Sequence, residues 1–354
     1  MTFKNWDGSV LKTQSGIAYG SAATAPTTNP TRSGYIFVGW DKDFSNVTAN
    51  LTVTAQFALD FNNKVMCITN GSLRFDVPGN SVISGAVLNL WTATHGPNQR
   101  FRFVSTGDGY YKIVCVGSGM LLDVRGASAT AGTPVIQWPE ASGGAANNQK
   151  WKIEVSGSGY RLVTKLNSNY CIDTTSSKLS TGNTLVLAKV SSGKASQTYK
   201  FEVKGQTSGI TDLGTYTIAA SSATNQLIDI EGASLADGAQ ALLWKKNGNA
   251  NQKFLFSYDS SSGYYVIQCV KSSAVFDVYG GSTAAGTRII QWPVNYQFNQ
   301  KWDVVQVSGN TYQIYSARSS MALDAYGGST ANNTKVIVWP ENGGANQKWV
   351  IKAA

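Results

Sequence analysis

Residues 323–349 read LDAYGGSTANNTKVIVWPENGGANQKW. An apolar residue precedes Asp324, a Gly/Ser-rich loop follows it, and a short apolar run closes on Trp339. A second polar loop then leads to Asn346-Gln347-Lys348-Trp349. Traced back through the chain, this order recurs six times. The aspartates are Asp76, Asp123, Asp173, Asp229, Asp277 and Asp324; fifteen residues after them stand Trp91, Trp138, Ala188, Trp244, Trp292 and Trp339. The closing Gln-x-aromatic pairs Gln99 with Phe101, Gln149 with Trp151, Gln197 with Tyr199, Gln252 with Phe254, Gln300 with Trp302 and Gln347 with Trp349. Asn98, Asn148, Asn251, Asn299 and Asn346 precede five of these glutamines, and Ser196 precedes the sixth. A fixed period of this length marks a unit that buries its apolar face only against its neighbours.

Successive aspartates lie 47, 50, 56, 48 and 47 residues apart. The long interval contains Gly205-Gln-Thr-Ser-Gly209, a composition typical of linkers. The six units therefore group as three and three. Alternating runs such as Tyr110–Val116 and Tyr264–Val270, broken by Gly, Ser and Asn every ten residues or so, predict short strands, and no long segment has helical periodicity. The expected fold is all-β: two tandem β-trefoils, each closing three units around one core.

These residues resemble the ricin B-chain lectin family, also called family 13 carbohydrate-binding modules, over roughly residues 60–204 and 214–354. The resemblance implies that the Gln-x-aromatic ring is a core residue near a pseudo-threefold axis, which assigns Phe101, Trp151, Tyr199, Phe254, Trp302 and Trp349 to the core. It also implies that sugar is held by the Asp, the aromatic fifteen residues on, and the Asn before the Gln. The candidate sites are then Asp76/Trp91/Asn98, Asp123/Trp138/Asn148, Asp229/Trp244/Asn251, Asp277/Trp292/Asn299 and Asp324/Trp339/Asn346, with the Gln supporting the Asp from behind. Copy three, with Ala188 and Ser196, is expected not to bind.

The chemistry suits a hexose. An ionised carboxylate accepts strong hydroxyl hydrogen bonds, and an amide both donates and accepts. A flat ring over the sugar's C–H face covers ~60–80 Å², worth roughly 2 kcal/mol. The last two copies share Tyr-Gly-Gly-Ser-Thr-Ala after the Asp, at Tyr279–Ala284 and Tyr326–Ala331, which places a second aromatic near each pocket. Val77-Pro78-Gly79 is expected to stiffen the first copy's loop and weaken that site. The family implies galactose or N-acetylgalactosamine, while mannose, arabinose and xylose also bind on this fold.

The first 57 residues differ. Thr2–Trp6 and Ser9–Gln14 around Asp7-Gly8 predict a hairpin, and Gly34–Trp40 and Leu51–Phe57 predict further strands. The string PTRSGYIFVGWDKDFSNVTANLTVTAQF, residues 30–57, resembles the internalin-type B-repeat, a small β-grasp-like module found in arrays on Gram-positive surface proteins. It implies a spacer. The expected modules are 1–58, 59–204 and 214–354, with a linker at 205–213.

Other functions find little support. The net charge is +9, with 15 basic and 8 acidic residues over 59–204 and 10 and 8 over 214–354. The basic residues are scattered singly, with no run beyond Lys245-Lys246, which argues against nucleic acid as a partner. No apolar run of 18 residues exists to span a membrane as a helix, and MTFKNWDGSV lacks the apolar region of a leader. The domain content therefore leads us to expect a piece of a longer secreted or cell-surface protein, with further repeats or a catalytic domain elsewhere in the parent. Glycoside hydrolysis needs two carboxylates ~5–10 Å apart, whereas the recurrent carboxylates here fall one per repeat. The chain is expected to be no enzyme and to need no cofactor or metal, since no Cys/His spacing fits one. His95, the sole histidine, is expected on the surface, within reach of a ligand in the first repeat. Cys115, Cys269 and Cys67 sit eight or nine residues before their repeat Asp, where other copies have Ser316, Ser221 and Thr164, so the thiols are expected to be free and packed. The expected partners are glycans of host glycoproteins or polysaccharides. The alternatives are a structural or protein-binding trefoil array and an accessory region of a glycoside hydrolase binding another sugar.

Overall fold

The alternating runs form strands, and the computed structural model describes them over residues 1–32 and 35–354, in two units, 1–62 and 63–354. The first unit is a four-stranded sheet of β1 (Thr2–Lys4), β2 (Val10–Thr13), β3 (Tyr35–Trp40) and β4 (Thr52–Leu59), in the order β2-β1-β4-β3. The central β1–β4 pair is parallel and the flanking pairs are antiparallel. This is β-grasp order, without a helix among the described residues. Gly8, at φ 86°, makes the first turn. Phe3 is fully buried, with the rings of Trp40 and Phe44 edge-on at 4.9 and 5.2 Å. Gly34, the expected start of the third strand, lies outside the described residues.

The second unit contains two twelve-stranded trefoils. In the first, Val65–Asn70, Phe101–Ser105, Tyr111–Cys115, Trp151–Ser156, Gly159–Thr164 and Lys200–Val203 form a barrel, closed by pairing of the first strand with the last. A hairpin from each repeat caps it: Leu73–Asp76 with Asn89–Thr92, Leu121–Val124 with Val135–Trp138, and Tyr170–Thr174 with Leu185–Lys189. The second trefoil repeats the plan, with Gly214–Ala220 pairing with Trp349–Ala353 to close its barrel.

All six Gln-x-aromatic rings are fully buried. Their polar atoms also find partners: the indole N–H groups of Trp151, Trp302 and Trp349 donate to Leu122, Phe276 and Leu323 O, and Tyr199 Oη lies 2.7 Å from Ser196 O and 3.1 Å from Ile172 O. Leu122, Ile172, Phe276 and Leu323 each immediately precede a repeat Asp, so the core ring anchors the strand that carries the candidate site. Cys115, Thr164, Cys269 and Ser316 lie directly across the ladder from these rings, opposite Phe101, Trp151, Phe254 and Trp302. A bulky ring opposite leaves room for a small side chain. All four cysteines are buried and free.

The 205–213 linker is held against the second trefoil. Thr207 N donates to Tyr265 Oη at 2.6 Å, and Tyr312 Oη donates to Ser208 O at 3.0 Å. Ile210 is buried within the second trefoil's core. The two trefoils also meet at a polar seam. The Arg100 guanidinium reaches Asp303 at 2.7 Å, lies 3.5 Å over the Tyr264 ring and donates to Gly263 O.

Candidate functional site

Hairpin register explains the fifteen-residue spacing. Asp76, Asp123, Asp229, Asp277 and Asp324 pair directly with Asn89, Ile136, Leu242, Ile290 and Ile337, thirteen residues on. Side chains alternate along a strand, so the Trp two positions further emerges on the same face as the Asp. After the Asp the chain makes a short 3₁₀ turn whose glycine is left-handed: φ is 63° at Gly79, 62° at Gly126 and Gly232, 63° at Gly280 and 64° at Gly327. The first copy therefore has the same loop as the others. Pro78 opens its turn, where fixed φ is accommodated, so the stiffening expected there produces no departure.

The five tryptophans are between 37% and 47% exposed, while the aspartates beneath them are 2–4% exposed. These rings therefore belong to the surface, in contrast to the core rings. The edges of Trp138, Trp292 and Trp339 pack against Gly85, Gly238 and Gly286 of the preceding repeat, which helps to fix their orientation.

The amides hold the carboxylates from one side. Asn98 and Gln99 both donate to Asp76 Oδ1, at 2.7 and 2.9 Å. Asn299 and Gln300 donate to Asp277 Oδ2, at 2.7 and 2.8 Å, and Asn346 and Gln347 to Asp324 Oδ2, at 2.6 and 2.9 Å. Asn148 reaches Asp123 Oδ2 at 2.9 Å, and Gln252 reaches Asp229 Oδ2 at 2.9 Å. Asn251 turns instead to Ile230 O, at 3.2 Å. In all five the other carboxylate oxygen has no hydrogen bond among the described residues. Burial raises the pKa of each of these carboxyls, and the amide bonds only partly offset it. The buried Gln also ties the Asp to the loop after the Trp: Gln347 donates to Pro340 O and accepts from Asn342 N.

Asp173 is different. Thr174 N donates to its Oδ1 at 2.7 Å, while Lys194 Nζ and Gln197 Nε2 hold Oδ2 at 2.6 and 2.9 Å. Burial pushes its pKa up, but Lys194, Ser196 and Gln197 more than reverse this, and the group stays below the usual range. Both oxygens are occupied, and Ala188 provides no ring.

Three trios line cavities. Asp324, Trp339 and Asn346 share one of about 450 Å³ with Tyr326; Asp76, Trp91 and Asn98 line one of about 340 Å³; Asp229, Trp244 and Asn251 line one of about 240 Å³. The Asp76 cavity also takes in Thr94, Asn89 and, from the second trefoil, Ser320. Asn89 is 8% exposed and its buried Oδ1 has no partner. Sequence reasoning missed Asn89, Ser320 and Lys194. Asn89 was readable as the polar exception at a position held by Ile136, Val186, Leu242, Ile290 and Ile337. Lys194 likewise stands where the other copies have Gly, Ala, Asn or Gln. Ser320 had no local signal.

His95, expected on the surface, lies instead in the seam between the trefoils. Its ring stacks on Tyr315 at 3.5 Å, and Nδ1 meets Asp303 at 2.8 Å. Among the described residues no three His, Cys, Asp or Glu side chains cluster as metal ligands would, and no helix is long and apolar enough to cross a membrane.

Two barrels with threefold hairpin caps, each repeat but one presenting a half-free carboxylate beside an exposed indole, define a tandem trefoil of the lectin type. The ricin-type β-trefoil lectin domain matches residues 109–211 and 214–349, and a ricin-type β-trefoil lectin domain-like model matches 56–138. The chain belongs to the ricin-type β-trefoil lectin family, whose domains imply carbohydrate binding. Residues 1–62 match the Listeria-Bacteroides repeat domain. Flavastacin of Elizabethkingia meningoseptica is 42% identical over 60 residues, a match spanning 17% of this chain and 13% of that protein. Among solved structures, a mosquitocidal holotoxin aligns with 88% of this chain and 36% of its own, at 20% identity and TM-score 0.56. The Macrolepiota procera ricin B-like lectin, solved in complex with lactose, aligns over 42% of this chain and 100% of its own, at 20% identity and TM-score 0.37.

Proposed function

We propose that the chain is a non-catalytic, multivalent glycan-binding region of a larger secreted or cell-surface protein, taking terminal galactose or N-acetylgalactosamine at five Asp–Trp–Asn pockets. The modules are 1–58 as spacer and 59–204 and 214–354 as lectin trefoils, joined through 205–213. The observation that carries this reading is the carboxylate pattern: five aspartates keep one oxygen free beside an exposed indole, and the sixth, which has lost its Trp, has both oxygens taken. A free carboxylate oxygen accepts a sugar hydroxyl, and the indole covers the C–H face. The family match supports the ligand class, and the repeat module at 1–62 supports attachment to something larger.

One such shallow pocket is weak, with Kd on the order of 1 mM. Several engaging one glycan-dense surface together gain about 10²–10⁴-fold. The test is binding to an immobilised galactose-terminated glycoprotein, competed by galactose, N-acetylgalactosamine, mannose, arabinose and xylose. Binding displaced by the first two is expected. Failure of every glycan to bind sinks the lectin reading, and displacement by mannose alone sinks the assigned sugar.

A further inference from the structure

The second trefoil has a cavity that none of the five trios forms. Gln240 bridges Ile290, Arg288 bridges Ile337, and Lys335 pairs with Leu242. The residue eleven after each Asp thus pairs with the next repeat in a closed cycle, so Gln240, Arg288 and Lys335 ring the pseudo-threefold axis. They line a cavity of about 960 Å³, roughly twice the sixth-repeat pocket, together with Tyr279 and Tyr326.

We infer that this axial basin binds the anionic group of an acidic saccharide, a sulfate or carboxylate carried beside the sugar held at Asp324. The inference rests on the lectin reading for its ligand class.

Four observations support it. Arg288 and Lys335 are exposed, and neither has a carboxylate within ion-pair distance among the described residues. The Arg288 guanidinium lies 4.2 Å over the Tyr279 ring, which holds it flat while leaving its N–H edge for an oxyanion. Gln240 Nε2, a donor in the wall, is buried without an acceptor. Tyr326 lines both this basin and the Asp324 pocket, so one oligosaccharide can occupy the two.

The first trefoil provides an internal comparison. The same cycle there runs through Val87, Pro134 and Thr184, which carry no charge. The one carboxylate at a position equivalent to Tyr279 and Tyr326 is Glu231, which lines the fourth-repeat pocket. An anion in the basin therefore meets two cations, whereas a neutral sugar gains little from either.

The test titrates the whole chain, by calorimetry, with lactose, lactose 3′-sulfate and inorganic sulfate. Arg288→Gln with Lys335→Gln, and separately Asp324→Asn, provide the variants. Both basic side chains are exposed and pair through backbone, so their replacement leaves the fold intact, which circular dichroism verifies. The sulfated sugar is expected to bind about tenfold more tightly than lactose (~1.4 kcal/mol). The double Gln variant should remove that preference and leave lactose binding unchanged, and Asp324→Asn should weaken both sugars. Equal affinity for the two sugars, or a preference that survives in the double Gln variant, overturns the axial site and leaves the lectin reading standing. Sulfate alone binding as tightly as the sulfated sugar also overturns it, because the basin would then be a free-anion site. If neither sugar binds the parent chain, both readings fail together.

Discussion

Replacing Asp303 by Ala should open the seam between the trefoils. Arg100 is 1% exposed, and Asp303 is the carboxylate that meets its guanidinium. Removing one partner of a buried ion pair strands the other charge, at a cost of about 3–5 kcal/mol. Here the Tyr264 face and Gly263 O remain as partners for Arg100, which places the expected loss at the low end, about 3 kcal/mol. The assay is urea unfolding followed by tryptophan fluorescence. The parent chain is expected to unfold with its trefoils coupled, and the variant to show an earlier, separated transition. The pH dependence has a definite sign. Burial raises the Asp303 pKa, but Arg100 and His95 hold it well below the ordinary carboxylate range. Its stabilisation is therefore fully present above pH ~4 and is lost only as pH falls through the much lower folded-state value. Parent and variant should differ at pH 5 as they do at pH 7. Arg100→Met with Asp303→Leu should recover most of the loss, because well-packed apolar pairs replace buried ion pairs at little cost. An Asp303→Ala chain unfolding within about 0.5 kcal/mol of the parent, the range of an ordinary surface substitution, would refute the reasoning.

Four further outcomes are expected. Asp277→Ala combined with Asp324→Ala should abolish most binding to a galactose-terminated surface, while Asp173→Ala leaves it unchanged; the reverse pattern would show that the trio does not mark the sites. Because burial raises the pKa of Asp76, Asp123, Asp229, Asp277 and Asp324, acid should remove their acceptor oxygens at a higher pH than for an ordinary Asp, near 3.9. Binding should therefore weaken on acidification before circular dichroism changes, since a raised carboxyl pKa favours the fold at low pH and withdraws that contribution as pH rises. Asn89→Ile should weaken first-pocket binding about three- to tenfold, the scale of one hydrogen bond, as read by ligand-induced shifts in the Trp91 indole resonance. Alkylation after denaturation without reductant should count four thiols, and a deficit of two or four would contradict the free cysteines.

The fold could be read from the sequence because each trefoil states its plan three times. The +15 spacing encodes a hairpin register: pairing at +13 forces the Trp onto the Asp face. The Gln-x-aromatic could be assigned to the core only through the family resemblance; the structure adds the physical reason, a small residue across the ladder from the ring, as Ser316 lies opposite Trp302. Local pattern failed where the partner was distant. Pro78 looked disruptive as a residue type, yet it opens a turn whose first φ a proline fits. The composition at 205–209 marked a linker but could not show what holds it: Thr207 and Ser208 bond to tyrosines of the second trefoil 58 and 104 residues away. His95 looked solvated for the same reason, because Tyr315 and Asp303 lie more than 200 residues downstream.

The same limit applies to the lining of the first pocket. A repeat alignment compares equivalent positions within a unit, so it can flag Asn89 against five aliphatic residues but cannot see Ser320 arriving from another barrel. Ser320 Oγ would lie 3.1 Å from a Cβ placed on Gly96, which puts its hydroxyl against the wall of the Asp76 cavity. That contact depends on the trefoils staying docked at the seam where Arg100 meets Asp303 and His95 stacks on Tyr315, because Gly96 belongs to one and Ser320 to the other. Loss of the seam should therefore alter the first pocket while sparing the sixth, whose lining comes entirely from residues 324–346. The Asp303→Ala chain thus tests more than stability: unequal effects on the Asp76 and Asp324 pockets are the signature of a site built across two domains.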